Sequence, residues 1–311
     1  MQKVDKIALV DAALAGKRPE RVPFSIWFHF PPSAQRGKAC ADAHIEHYRR
    51  YDLDYIKVMN DNPYDMPLSM RVIERAKDWL KLEPLSGTEA GFAAELEALR
   101  ELKRRVGKET RFVVTVFNPL ATAMKVSNRK TIEHLREDPE AVGQGLMTIG
   151  KSLANFASHA IDAGASGLFL ACSGPEPTML SQEEYRRFVR PADLVVLEGA
   201  AGAPFNLLHV HGTDVYLDLF LDYPANALNW PAHHSDYSIL RTSTLTDKCL
   251  VAGIDERGPI ADGKMRATIT QLTDAISQAP LERFMVGSEC TVPPETSPEV
   301  ITAIRDLVAQ F

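Results

Sequence analysis

The sequence predicts an α/β protein, a (β/α)8 TIM-like barrel forming one domain over residues 1–311, and three observations carry that reading. Eight short runs, FSIWF (24–28), YIKVM (55–59), FVVTVF (112–117), GLFLAC (167–172), FNLLHV (205–210), ALNW (227–230), CLVAGI (249–254) and RFMVGS (283–288), are apolar almost from end to end. Strands of that kind are buried on both faces, the mark of a parallel sheet covered by helices. Helical patterns fall between the runs, and every run ends in polar or ionisable residues, as the catalytic mouth of a barrel requires.

Taken in order, the helical patterns include 69–80, 89–106, 139–163, 181–201, 262–277 and 298–310. Ser181 with Glu184 three positions on has the capping-box spacing, and Ser297 precedes Pro298 at a first helical position. The stretch 60–110 is long for one β-to-α unit, so an extra helix or lid over the mouth is expected there. No Gly-x-Gly-x-x-Gly or Walker-type loop follows any strand, which removes the commonest nucleotide-binding readings.

Composition narrows the function class. Hydrophobic residues make up 45% and charged residues 24% of the 311, which is ordinary for a globular protein with a full core. A net charge of −6 with scattered basic residues argues against nucleic acid or an anionic membrane as partner. The N-terminus lacks the character of a signal peptide, and no apolar run approaches the roughly 20 residues of a membrane span. Four cysteines (Cys40, Cys172, Cys249, Cys290) are no secreted disulfide framework, so the cytoplasm is expected.

The chemistry concentrates at the strand ends. His209 and His211 in PFNLLHVHG (204–212) stand at i and i+2, so on a strand both imidazoles face one side. Cys290 in MVGSECTVPPETSPE (285–299) ends another run, and a thiolate from a neighbouring strand would complete a three-ligand site with an open position. Zinc suits such a donor set. Glu289 or Asp214 could add a fourth ligand or orient a first one, with Cys172 in reserve. An isolated strand histidine is more often a hydrogen-bonded core residue, and His-x-His alone is a weak motif; the remote cysteine raises its weight.

Other strand ends supply further candidates. Asp61 in VMNDNPYDM is either an Asx turn closing the strand or a general acid at the mouth, ahead of the more distant Asp65. His29 and Asp255 are candidate catalytic residues beside it, and Asn60, Asn118, Trp230 and Arg257 are candidate substrate contacts. His233 and His234 read as solvated loop residues, and Asp255–Glu256–Arg257 as either an internal ion pair or a substrate clamp.

Several patches together resemble the uroporphyrinogen decarboxylase superfamily, which also holds the zinc-dependent methylcobamide:thiol methyltransferases. They are RVPFSIW (21–27), LDYIKVMND (53–61), PEPTMLSQEEYRRFVRP (175–191), LLHVHG (207–212), VAGIDERGPI (251–260) and, most specifically, GSECTVPPETSPE (287–299). The resemblance implies a distorted (β/α)8 barrel with Asp61 at the position of the decarboxylases' active-site aspartate. It departs from the decarboxylases where their carboxylate-binding arginines would fall: WFHFPPS (27–33) puts Phe28 and Pro32 there, and Lys125 stands near their tyrosine. It departs from the methyltransferases in one ligand, having His211 where their first cysteine would stand while His209 and Cys290 match.

The expectation is therefore a zinc-dependent methyltransferase acting between a small thiol and a methyl group, the latter carried on a corrinoid of a partner protein. A homodimer is left open. The rival readings are a carboxy-lyase acting through Asp61 on a porphyrinogen or smaller aromatic acid, a zinc hydrolase, and a non-enzymatic tetrapyrrole carrier.

Overall fold

A computed structural model describes residues 4–67 and 70–311. Among the described residues, seven strands form one parallel sheet in sequence order: β1 (Tyr55–Val58), β2 (Arg111–Phe117), β3 (Gly167–Cys172), β4 (Leu207–Val210), β5 (Ala227–Asn229), β6 (Cys249–Ile254) and β7 (Phe284–Ser288). The intervening α-helices are α1 (Lys6–Leu14), α2 (Gly37–Arg50), α3 (Ala90–Val106), α4 (Pro119–Val126), α5 (Thr131–Glu137), α6 (Pro139–Asp162), α7 (Gln182–Glu184), α8 (Arg190–Glu198), α9 (Ile239–Ser243), α10 (Met265–Ser277) and α11 (Pro298–Val308).

The strands are apolar on both faces because two cores claim them. One lies between the sheet and the helices. The other fills the concave side, where Tyr55, Val113, Phe169, Leu207, Ala227, Val251 and Met285 meet Val10 and Ala13 of α1, which stops that end of the curled sheet. Alternate side chains therefore enter different cores, and polar groups are kept mainly to the strand ends, with Lys57 of β1 and Thr115 of β2 as exceptions.

The eighth strand expected at 24–28 is not one. Residue Phe24 makes an isolated parallel bridge to Val286 of β7, with Ser25 N–H donating to the Val286 carbonyl (3.0 Å) and Val286 N–H to that of Pro23 (2.8 Å). Toward β1 the seam is held largely by side chains. Asp54 accepts the Phe24 N–H (2.8 Å) and a two-pronged contact from Arg21 (2.6 Å each), and the Ser25 hydroxyl donates to the Tyr55 carbonyl (2.8 Å). A ladder cannot extend here because Pro23 has no N–H and the Phe24 N–H is spent on a carboxylate. The observed sheet is thus a seven-stranded curl with an extended segment laid across its gap.

Two helical expectations also change. Over 69–80 the described part holds only a 3₁₀ stretch, Ala76–Lys81, and position 69 lies outside the described residues. Over 181–201 the helix is interrupted: α7 opens with the Ser181–Glu184 capping box, then Tyr185–Val189 widens into a π turn before α8. Pro191 lacks the N–H an unbroken α ladder would use, and the turn before it takes up the extra residue, the Arg190 N–H reaching the Tyr185 carbonyl five positions back. Ser297 does not cap α11; its hydroxyl donates to Glu299 instead, while Pro298 takes the first helical position. Among the described residues no helix is long and apolar enough to cross a membrane.

Candidate metal centre

Parallel register builds the site from β4 outward. His209 pairs side by side with Asn229 of β5, so the two side chains leave the same face. Asn229, fully buried, donates its amide to the carbonyls of Val251 (2.7 Å) and Ser288 (3.1 Å), which turns its oxygen toward His209 Nδ1 at 2.6 Å. That oxygen can only accept, so Nδ1 carries the proton and Nε2 presents a lone pair to the cavity. Phe169 stacks on the ring at 5.1 Å and 25°, fixing its plane.

His211 lies one residue past β4, its N–H donating to the Cys172 carbonyl (2.9 Å). The chain then turns at Gly212, where φ is +138° and a Cβ would stand 2.5 Å from a Glu176 carboxylate oxygen. Only glycine fits that bend without strain. Cys290 arrives after β7, which is three strands from β4 rather than adjacent; the segment following β7 crosses the mouth to reach it. Its N–H donates to Glu256 (3.1 Å), which holds the turn.

The three side chains converge. His209 Nε2 and His211 Nδ1 are 3.4 Å apart, Cys290 Sγ and His211 Nδ1 are 3.6 Å apart, and all three donor atoms fall within 4.8 Å of one another. Tetrahedral zinc, with Zn–N bonds near 2.05 Å and Zn–S near 2.3 Å, would separate its ligand atoms by about 3.3 Å (N···N) and about 3.6 Å (N···S). The donor set fits that ion, as do the two spacings to His211. Burial alone would push the Cys290 thiol up, but the neighbouring imidazoles bring it down to about 4 wherever they carry a proton toward the sulfur, which favours the thiolate. The same contact raises His211 above its ordinary value.

The centre opens into a cavity of about 190 Å³. Its walls are mostly apolar, with Trp27, Met59, Phe117 and Phe169, and polar at Thr115, Ser173 and Lys57. His29 lines the rim and meets Asp61 at 3.0 Å. Burial works against the Asp61 carboxylate, but His29, Lys57 and Lys125 together hold it below its ordinary value, so it is an anion in contact with His29.

Other sequence candidates lie elsewhere. Asn118 is fully buried and caps α4, accepting from Ala121 N–H and donating to Asp193. Trp230 is buried with its indole N–H on the Tyr237 carbonyl (2.6 Å). Neither lines the cavity: both are strand-end polar groups consumed by the next turn. Asp255 pairs with His234 (2.8 Å), Arg257 is exposed beside Glu256, and Asn60 is tied to Asn62 in a small side pocket next to the cavity. Glu289 and Asp214 do not join the three donors; Glu289 is buried against His233, and Asp214 is an exposed turn residue with φ +51°.

The sequence reading passed over Lys57 and the orienting role of Asn229. A lysine in the middle of an apolar strand was the available signal for the first. For the second there was none, since register is not written locally.

Similarity to known proteins agrees with this architecture. A methyltransferase from Methanosarcina mazei matches 99% of this chain and 99% of its own at 15% identity with a TM-score of 0.74. A putative vitamin-B12-independent methionine synthase from Listeria monocytogenes matches 87% of this chain and 85% of its own at 12% identity with a TM-score of 0.54. At those identities the likeness is one of fold. No curated protein matches the sequence. The uroporphyrinogen decarboxylase (URO-D) family pattern matches residues 58–311, well over half the chain, and the protein belongs to that family.

Proposed function

We propose that the whole chain acts as one catalytic domain that transfers a methyl group to or from a small thiol, with zinc held by His209, His211 and Cys290. The observation that carries this is the convergence of three donors within 4.8 Å, both spacings to His211 matching tetrahedral zinc, open on one side to an apolar cavity. Zinc bound there would act as a Lewis acid, favouring the deprotonated form of a thiol in the cavity.

The chain's own residues do the rest. Asn229 and Phe169 hold His209 in one tautomer and one plane. The walls of Trp27, Met59, Phe117 and Phe169 exclude water, which keeps a thiolate poorly solvated and reactive. The Methanosarcina protein's description as a methyltransferase supports the reaction class, and a corrinoid on a partner protein is the proposed methyl carrier.

Size speaks against a porphyrinogen as the substrate of a carboxy-lyase. Pockets that enclose drug-sized ligands span roughly 300–1,000 Å³; a cavity of about 190 Å³ suits a small acceptor and would not enclose a four-ring porphyrinogen. Metal analysis of the purified protein tests the proposal. About one equivalent of zinc, lost in Cys290→Ala, is expected; less than about half an equivalent in both proteins refutes it. Cobalt substitution then separates thiol transfer from hydrolysis, since only a thiol-binding centre changes its sulfur-to-metal absorption when a thiol is added.

A further inference from the structure

The amine of Lys57 has no place in the scheme so far. Its side chain rises from the middle of β1 into the cavity wall and is 5% exposed. Among the described residues no carboxylate receives it. Its neighbours are the Met59 thioether and the face of Phe169, 4.6 Å from Nζ to the ring centre, and a thioether is a weak acceptor. Lysines are almost never fully buried without a partner, so this one calls for an explanation.

The groups around it are committed elsewhere. Asp61 is bonded to His29, and Glu95 of α3 to Asn62. His44 of α2 donates Nδ1–H to the Cys40 carbonyl (2.8 Å) and accepts the Met59 N–H on Nε2 (2.9 Å). His209 and His211 belong to the donor set with Cys290. Among the described residues of the cavity wall, Lys57 is the basic group left without a hydrogen-bonded charge partner. Burial pulls its ammonium down to about 7, against the raising effect of Cys290, Asp61 and Glu95, so much of it is neutral under ordinary conditions.

We infer that Lys57 is the internal base of this cavity, its neutral amine taking the proton of the thiol that enters. The inference rests on the thiol reading given above. The S–H bond breaks with its electron pair left on sulfur, and the proton bonds to the Nζ lone pair, giving an ammonium. Proton and charge stay inside the protein, so an anionic sulfur and its counter-cation form together in a water-poor space. After the product leaves, the ammonium returns its proton to water.

Calorimetry of 2-mercaptoethanol binding to the zinc-loaded protein, in buffers of different ionisation enthalpy, counts protons released to solvent. The wild type should release close to none at pH 8 and close to one at pH 6, where Lys57 is already protonated. Lys57→Met and Lys57→Arg should each release close to one at both pH values, because neither side chain can accept a proton. Equal release at pH 6 and 8 in the wild type overturns the inference even if both variants fail to fold, and equal release in wild type and folded variants overturns it as well. The cobalt protein separates the two layers of argument: a spectrum unmoved by 2-mercaptoethanol removes the thiol reading and this inference together, whereas a spectrum that responds while proton release does not depend on Lys57 removes this inference alone.

Discussion

Replacing Glu95 by glutamine should stabilise the protein, and the gain should grow with pH. Glu95 is fully buried in α3, with Oε2 accepting from Asn62 Nδ2 at 3.1 Å and Oε1 without a partner. Burial, reinforced by the nearby Asp61 carboxylate, pushes it from the ordinary 4.5 up to about 8. The folded state therefore keeps a proton that the unfolded chain has lost between those values, and stability falls as pH rises through that window. One pH unit is worth about 1.4 kcal/mol, so by pH 7 the accumulated loss is on the order of 3 kcal/mol. Glutamine is a neutral isostere whose amide can take the position of the protonated oxygen. Urea unfolding of both proteins should give equal stability near pH 4.5 and a difference opening to about 3 kcal/mol at pH 7. A difference that stays constant with pH would show that Glu95 ionises freely in the fold and would refute the reasoning.

Two further expectations follow from the geometry. Asn229→Asp keeps an acceptor for His209 but leaves the Val251 and Ser288 carbonyls without their donor, so zinc affinity should hold while stability drops by about 2–5 kcal/mol; Asn229→Leu should also lose about 10–100-fold in zinc affinity, and equal affinity in the two variants would deny Asn229 its orienting role. Asp54→Asn removes the carboxylate that joins Arg21 and the Phe24 N–H, and about 3 kcal/mol should be lost in urea unfolding; a loss under about 1 kcal/mol, the worth of an exposed pair, would mean that the seam is not held there.

The parts legible in the sequence are those whose signal is local. Strands squeezed between two cores must be apolar on both faces, and the seven strands of the described residues fall on runs read as strands, β2 starting one residue early at Arg111. Histidines two apart on a strand must share a face, and His209 and His211 do. The failures have one physical origin, which is that apolarity states burial but not hydrogen bonding. FSIWF is as buried as any strand, yet the Phe24 N–H goes to Asp54 and no ladder forms. Asn118 and Trp230 end their runs as a ligand contact would, yet their polar atoms satisfy a helix cap and a turn. Lys57 errs the other way, a charged residue in an apolar run whose head stays in the cavity rather than reaching water.

The missing strand also shapes the site. The extended segment at 24–28 fills the gap between β7 and β1. It offers Trp27, whose carbonyl receives the Val292 N–H at 3.0 Å and so fastens the chain just past Cys290. Gly287 makes room for Val251 and for that indole, since a Cβ would stand 2.7 Å from Val251 Cγ1 and 3.0 Å from Trp27 Cη2. Cys290 and Lys57 line one cavity, and Cys290 heads the groups that raise Lys57 against its burial. Substituting Gly287 should then disturb both at once, because crowding the indole moves the segment that carries Cys290 and the wall that faces Lys57.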